Sequence, residues 1–136
     1  MIGAKFVYTL YMADTNRKKV LIIEDDNNII QMYSMKFKEK YDVLTAKTGV
    51  EGLEVAKNEK PDIILLDVII PQLDGFAVLA KLKEDASTKN VPVILLTNLG
   101  QESDRKKGIE KGAVEYLVKV EHTPSQVLET IGKYIK

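Results

Sequence analysis

Short unbroken apolar runs alternate with amphipathic stretches five times along this chain. The runs Val20–Ile23, Val43–Ala46, Ile63–Leu66, Val93–Leu96 and Tyr116–Val118 are β-branched in part, and Pro61, Pro71 and Pro92 bound the central ones. Each predicts a strand, and the unbroken ones predict burial on both faces. The stretches between them have helical spacing. Asn27 or Asn28 caps a helix that runs to about Tyr41, with Ile29, Met32, Tyr33 and Phe37 near one face. Val50–Asn58 carries Leu53, Val55 and Ala56, and Gly75–Asp85 carries Phe76, Leu79, Ala80 and Leu82. A polar helix runs from about Ser103 to Lys111, closed by Gly112 in a C-cap position. The last helix opens on the capping box Thr123-Pro124-Ser125-Gln126 and continues through Val127, Leu128, Ile131, Tyr134 and Ile135.

Five strand–helix units in succession predict a parallel sheet with helices on both faces and right-handed crossovers. No linker, repeat or low-complexity stretch divides residues 19–136, which read as one domain. Residues 1–18 differ from the rest. Phe6–Met12 is apolar but too short to span a bilayer, and without a small-residue cleavage site it makes a poor signal peptide. A disordered extension is expected there; an added edge strand or a dimer contact is the alternative, and Met12 is an alternative start.

Composition narrows the function. A chain of 136 residues that is 45% apolar and 29% charged supports one soluble core. Twenty bases balance 20 acids, so no overall field favours nucleic acid or membrane. The lack of cysteine excludes disulfides, thiolate metal sites and thiol nucleophiles, and fits a cytoplasmic setting. His122, the one histidine, reads as a surface residue, and Arg105-Lys106-Lys107 as a solvated helix face.

The chemistry gathers at strand ends. Asp67 follows Ile63–Leu66 and precedes Val68-Ile69-Ile70-Pro71 and Asp74-Gly75; Glu24 and Asp25 follow Val20–Ile23. Carboxylates at the carboxyl ends of parallel strands lie in the crevice where open α/β sheets bind ligands. If these two strands are neighbours, three carboxylates converge. Like charges that close cannot all stay ionised without a cation, so the pocket implies a bound metal. Thr97 ends the fourth strand and Lys119 the fifth.

This set of spaced residues resembles the receiver domain of bacterial two-component response regulators, across residues 19 to 136. The resemblance implies an α/β, flavodoxin-like (βα)5 fold with a five-stranded parallel sheet in the order 2-1-3-4-5. It implies a phosphoacceptor signalling protein rather than an enzyme in the ordinary sense. Asp67 would accept a phosphoryl group from the phosphohistidine of a histidine kinase or phosphotransfer protein. Asp25, Asp67 and the backbone carbonyl of Ile69 would hold Mg²⁺, with Glu24 reaching it through water. Lys119 would supply a cation, Thr97 a hydroxyl and Tyr116 an aromatic switch. The face formed by the fourth helix, fifth strand and fifth helix would then meet an output protein; a phosphorylation-dependent homodimer is a further form the resemblance allows.

The alternatives are a receiver excised from a longer regulator and a phosphorylation-independent interaction module. Direct nucleic-acid binding is not expected, since no recognition helix is legible. A phosphohydrolase of the haloacid dehalogenase type would need a second aspartate where Ile69 stands. A flavodoxin-like electron carrier would need a Ser/Thr/Gly-rich phosphate loop in place of Glu24-Asp25-Asp26.

Some positions depart from the family pattern. Ile70 replaces a methionine conservatively. Asn98 stands where a small residue is usual, and is expected either to narrow access or to add a hydrogen bond. Val120 replaces the proline after the lysine; a cis Lys119–Val120 bond is expected nonetheless, to aim the lysine, at a cost of roughly 2.5–4 kcal/mol. Ile69 and Leu99, both apolar, flank the path of attacking water and predict slow self-dephosphorylation. Ile30 and Met35 lie off the main face of the first helix and are candidates for a docking surface.

Overall fold

A computed structural model describes residues 17–136; the expectations for Phe6–Met12 lie outside these residues. Strands and helices alternate strictly: β1 (Lys19–Ile23), α1 (Asn27–Phe37), β2 (Asp42–Ala46), α2 (Gly49–Glu59), β3 (Ile63–Leu66), α3 (Gly75–Glu84), β4 (Val93–Thr97), α4 (Glu102–Glu110), β5 (Glu115–Val118) and α5 (Pro124–Ile131). A short 3₁₀ turn, Lys119–Glu121, joins β5 to α5. All neighbouring strands run parallel, in the order β2-β1-β3-β4-β5. The chain therefore winds outward in two directions from β1, and the crevice at that switch lies between β1 and β3.

The unbroken apolar runs follow from burial on both faces. Leu21, Ile23, Ile64, Leu66, Leu95 and Tyr116 face Ala56 of α2 and Phe76, Leu79 and Leu82 of α3. Their alternates Val20, Ile22, Ile63, Leu65, Ile94 and Leu96 face Tyr33 and Phe37 of α1 and Val127 and Ile131 of α5. With period two along each strand and a helical layer on either side, no position in a central run is left for a polar side chain.

Helix α1 ends at Phe37 rather than near Tyr41, and departs from expectation in two further details. Its cap is Asp26, not Asn27 or Asn28: Asp26 has extended backbone (φ −82°, ψ 115°), and its Oδ1 accepts from the amides of Asn28 and Ile29 at 2.8 and 3.2 Å. Its buried stripe runs Ile29–Tyr33–Phe37 at steps of four, which leaves Met32 exposed at the margin. The Tyr33 and Phe37 rings stack with centroids 5.5 Å apart. Past the helix end, the Arg17 guanidinium donates to the carbonyls of Lys40 and Tyr41 at 3.2 Å each, groups the helix cannot satisfy itself. Asp26→Ala is expected to cost about 1 kcal/mol in urea denaturation, whereas Asp26→Ser, which keeps an acceptor, should lose little. Equal losses in both variants would mean the charge and not the cap matters.

Helix α4 is the least anchored. Its only buried residue is Gly108, and no side chain caps its start at Gln101. A Cβ on Gly108 would stand 2.5 Å from Leu95 Cδ1 and 3.1 Å from Tyr116 Cδ2, so the glycine is what lets α4 rest on the sheet. Among the described residues, no helix is long and apolar enough to cross a membrane.

Candidate functional site at the carboxyl edge of the sheet

Adjacent register brings the acids together. Ile23 of β1 pairs with Leu66 of β3, so Glu24 and Asp67 leave their strands side by side. Backbone bonds fix the exits: Asp67 N–H donates to Ile23 O at 3.0 Å, and Glu24 N–H to Ala46 O at 2.9 Å. Carboxylate oxygens of Glu24, Asp25 and Asp67 lie within 4.8 Å of one another. Glu24 and Asp67 are buried, at 3% and 8% exposure, while Asp25 opens to solvent.

Lys119 reaches these acids from the end of β5. Its Nζ donates to Asp67 Oδ2 at 2.6 Å and to Glu24 Oε1. The second oxygens are held by backbone: Ile69 N–H donates to Asp67 Oδ1 at 3.2 Å, and Asp26 N–H to Glu24 Oε2 at 3.1 Å. Burial pushes the Glu24 carboxyl above its ordinary range, against the hydrogen bonds from Lys119 and the Asp26 amide. Burial also works against the Lys119 ammonium, but its bonds to Asp67 and Glu24 outweigh this and hold its pKa above the ordinary value. Three carboxylates against one ammonium leave two negative charges when all are ionised. An oxygen-only donor set with that residual charge fits a hard divalent cation.

Thr97, the last residue of β4, is fully buried, and its Oγ1 accepts from the Leu99 amide at 3.4 Å. Thr97 pairs in register with Val118, the residue before Lys119. The four strand ends thus present Glu24 and Asp25, Asp67, Thr97 and Lys119 along one edge of the sheet. The model of the response regulator receiver domain matches residues 20–131.

The chain belongs to the response regulator receiver family.

This receiver is 37% identical over 102 residues to protein PilH of Pseudomonas aeruginosa, a match covering 74% of the chain and 84% of PilH. Identity to response regulator PleD of Caulobacter vibrioides is 41% over 102 residues, 74% of the chain, but the chain spans only 22% of that protein's length. Among solved structures, the chemotaxis protein CheY4 of Vibrio cholerae superposes with a TM-score of 0.81 at 30% identity, over 88% of this chain and 99% of that one.

Two departures from the family pattern resolve together. The expected cis Lys119–Val120 bond is corrected: every peptide bond among the described residues is trans, and Lys119 still reaches Asp67. The 3₁₀ turn that begins at Lys119 accommodates the lysine, and the trans preference of a bond before a non-proline residue, roughly 2.5–4 kcal/mol, prevails. Of the two expectations for Asn98, the hydrogen bond is the one seen: its Oδ1 accepts from the Val120 amide at 3.2 Å.

Tyr116 is buried, with its hydroxyl donating to Leu99 O at 2.5 Å. Burial, with the nearby Asp104 charge, raises the pKa of that phenol, so the hydroxyl stays a donor. Arg105, on the solvated face as expected with its side chain 42% exposed, also lies over the Tyr116 ring at 5.3 Å and donates to Tyr116 O at 3.0 Å. Lys107 sits over the Phe76 ring at 4.4 Å. His122 is half-buried, and its Nδ1 bonds to Val118 O at 3.0 Å, which requires the proton on Nδ1 because a carbonyl only accepts. Sequence reasoning missed the partners of Arg105, Lys107 and Asn98 because three-dimensional packing alone decides those meetings, whereas the His122 bond is local to its turn. Only the position of Asn98 directly after Thr97 was a usable signal.

Proposed function

We propose that this receiver takes a phosphoryl group onto Asp67 from a phosphohistidine on a histidine kinase or phosphotransfer protein, and signals through its α4–β5–α5 face. The supporting observation is the placement of Asp67: a buried carboxylate at the switch-point crevice, with one oxygen on Lys119 and the other on the Ile69 amide. In the transfer, an Asp67 oxygen attacks phosphorus; the O–P bond forms as the N–P bond breaks, and the imidazole leaves with that electron pair and takes a proton from water. Lys119 faces the same space and offsets charge on the phosphoryl oxygens. Thr97 turns its hydroxyl from the Leu99 amide to the new phosphoryl group. Asp25, Asp67 and the Ile69 carbonyl would hold Mg²⁺, with Glu24 behind a water; when bound, the ion neutralises charge on the transferring group.

The readout follows from what Thr97 disturbs. The Leu99 amide is its present partner and the Leu99 carbonyl is the acceptor of Tyr116, so one loop joins the site to the ring. Arg105 carries the ring's position to α4, the helix whose one buried residue is Gly108. On the other side, Met35 borders a groove of about 430 Å³ with Met32, Pro124 and Ser125; with Ile30 it is our candidate surface for the phosphodonor. A cytoplasmic location belongs to the same proposal.

Intact mass after incubation with acetyl phosphate tests this reading. A gain of one phosphoryl group is expected with Mg²⁺, none with chelator and none in Asp67→Ala. No adduct from acetyl phosphate or from a phosphohistidine protein would overturn it. The Ile69 and Leu99 side chains offer no polar group to orient water, so the adduct should outlast minutes; loss within seconds would contradict that part.

A further inference from the structure

We propose that Asn98 is a positioning residue for Lys119, holding the turn that carries the lysine through the bond from the Val120 amide to its Oδ1. The proposal rests on reading Asp67 as the phosphoacceptor that Lys119 serves.

Lys119 spans from the end of β5 to two acids at the ends of β1 and β3, on a side chain with four rotatable bonds. Where its ammonium arrives depends on where its backbone starts. The β5 ladder fixes it as far as Val118, which pairs with Thr97, and three further bonds shape the path from there. His122 contributes two, Nδ1 to Val118 O at 3.0 Å and its amide to Lys119 O at 3.3 Å. Both are local to the turn, so they shape it without placing it. The third crosses 22 positions of sequence, from Val120 N–H to Asn98 Oδ1.

Packing of the Val120 side chain does not place the turn. Val120 is 82% exposed, so its side chain buries almost nothing that could hold the turn against the sheet. Val120 does have an N–H, and Asn98 supplies the acceptor. Asn98 directly follows Thr97, so the same bond ties the loop of the hydroxyl to the turn of the lysine. The two groups that flank Asp67 from the β4 and β5 sides, already joined by the Thr97–Val118 register, are thereby tied a second time beyond the end of the ladder.

The bond is exposed and joins neutral groups, which bounds its effect. A net worth of about 1 kcal/mol corresponds to roughly a three- to tenfold change in rate.

Four proteins test the proposal: the wild type, Asn98→Ala, Val120→Pro and the double variant. The rate of phosphoryl uptake from acetyl phosphate at saturating Mg²⁺ is read by intact mass, and exchange of the Val120 amide by NMR. Asn98→Ala should slow uptake three- to tenfold and speed Val120 exchange. Proline has no N–H to donate, so the same change in the Val120→Pro background should alter the rate by less than twofold. Equal slowing in both backgrounds would overturn the proposal, because Asn98 would then act elsewhere; so would no slowing beside Val120. Should Val120→Pro fail to fold, the ¹⁵Nζ ammonium signal of Lys119 decides. It should broaden in Asn98→Ala and return in Asn98→Asp, which keeps the acceptor; a signal unchanged in Asn98→Ala overturns the idea. That signal needs no phosphoryl transfer, so a wild type that takes no phosphoryl group would sink the reading of Asp67 while leaving the positioning role separately decided.

Discussion

Replacing Lys119 by methionine is expected to destabilise the protein by roughly 3–5 kcal/mol in magnesium-free buffer, and by much less at saturating Mg²⁺. Methionine keeps most of the length and the packing, so the change removes mainly charge. What remains is two nearly buried carboxylates, Glu24 and Asp67, at 3% and 8% exposure, facing each other with no cation between them. Each keeps one backbone donor, the Asp26 and Ile69 amides. One neutral donor contributes about 1 kcal/mol, less than the several kcal/mol that a stranded buried charge costs. Solvent reaching in through exposed Asp25 favours the lower half of the range. A divalent cation bound only by the folded state restores the balance, and by mass action the gain is larger in the variant, whose site lacks the competing ammonium. Urea denaturation with Mg²⁺ and with chelator checks this. Equal losses in the two buffers would mean that Lys119 acts by packing and not by charge. The same variant should take up phosphoryl groups on the order of 10²-fold more slowly, the usual cost of losing one well-placed donor to developing charge.

The parts of this fold that were legible in the sequence are those whose physics is local or periodic. Val20–Ile23, Ile63–Leu66 and Val93–Leu96 announce themselves because a strand covered on both faces admits no polar residue, and all three lie within central strands. Thr123 and Gln126 form their capping box as read, with bonds of 3.2 and 2.8 Å, because both partners lie within one turn. Glu24, Asp25, Asp67, Thr97 and Lys119 could be grouped because a parallel sheet delivers every strand end to one edge. What escaped depends on three-dimensional neighbours. Asn27 and Asn28 have the composition of a cap, yet it is Asp26 whose backbone is still extended while Asn27 already belongs to the helix. Met32 satisfies the apolar spacing but falls at the margin, where α5 leaves a groove rather than a core. The Lys119–Val120 isomer was misjudged because the 3₁₀ turn, and the Asn98 acceptor that meets it, join loops far apart in sequence.

Gly75→Ala tests how tightly the backbone beside Asp67 is built, and should cost about 3 kcal/mol. Helix α3 begins at Gly75, directly over the strand end: its amide donates to Val68 O at 2.8 Å, and Asp74 caps the helix by accepting from Ala77 N–H at 3.1 Å. A Cβ at position 75 would stand 2.3 Å from the Asp67 carbonyl oxygen and 2.6 Å from Val68 Cα. Both obstacles are backbone, so no side chain can swing aside. Either α3 slides outward, uncovering Phe76 and Leu79, or the Asp67 peptide shifts. The intervening loop has little freedom to absorb the strain, since Gln72 and Leu73 already sit at φ 58° and 127°, and Gly49 N–H pins Pro71 O at 3.1 Å. A displacement of about 1 Å at a reacting group can cost on the order of 10²-fold in rate, so phosphoryl uptake should fall at least tenfold. Gly132→Ala supplies the control. Gly132 has ordinary helical backbone at φ −61°, and its nearest neighbour to a Cβ is 3.4 Å away, so that change should stay within about 0.5 kcal/mol. Urea midpoints and uptake rates for the pair decide the matter. If Gly75→Ala behaves like Gly132→Ala in both, the glycine is not what seats α3 against Asp67.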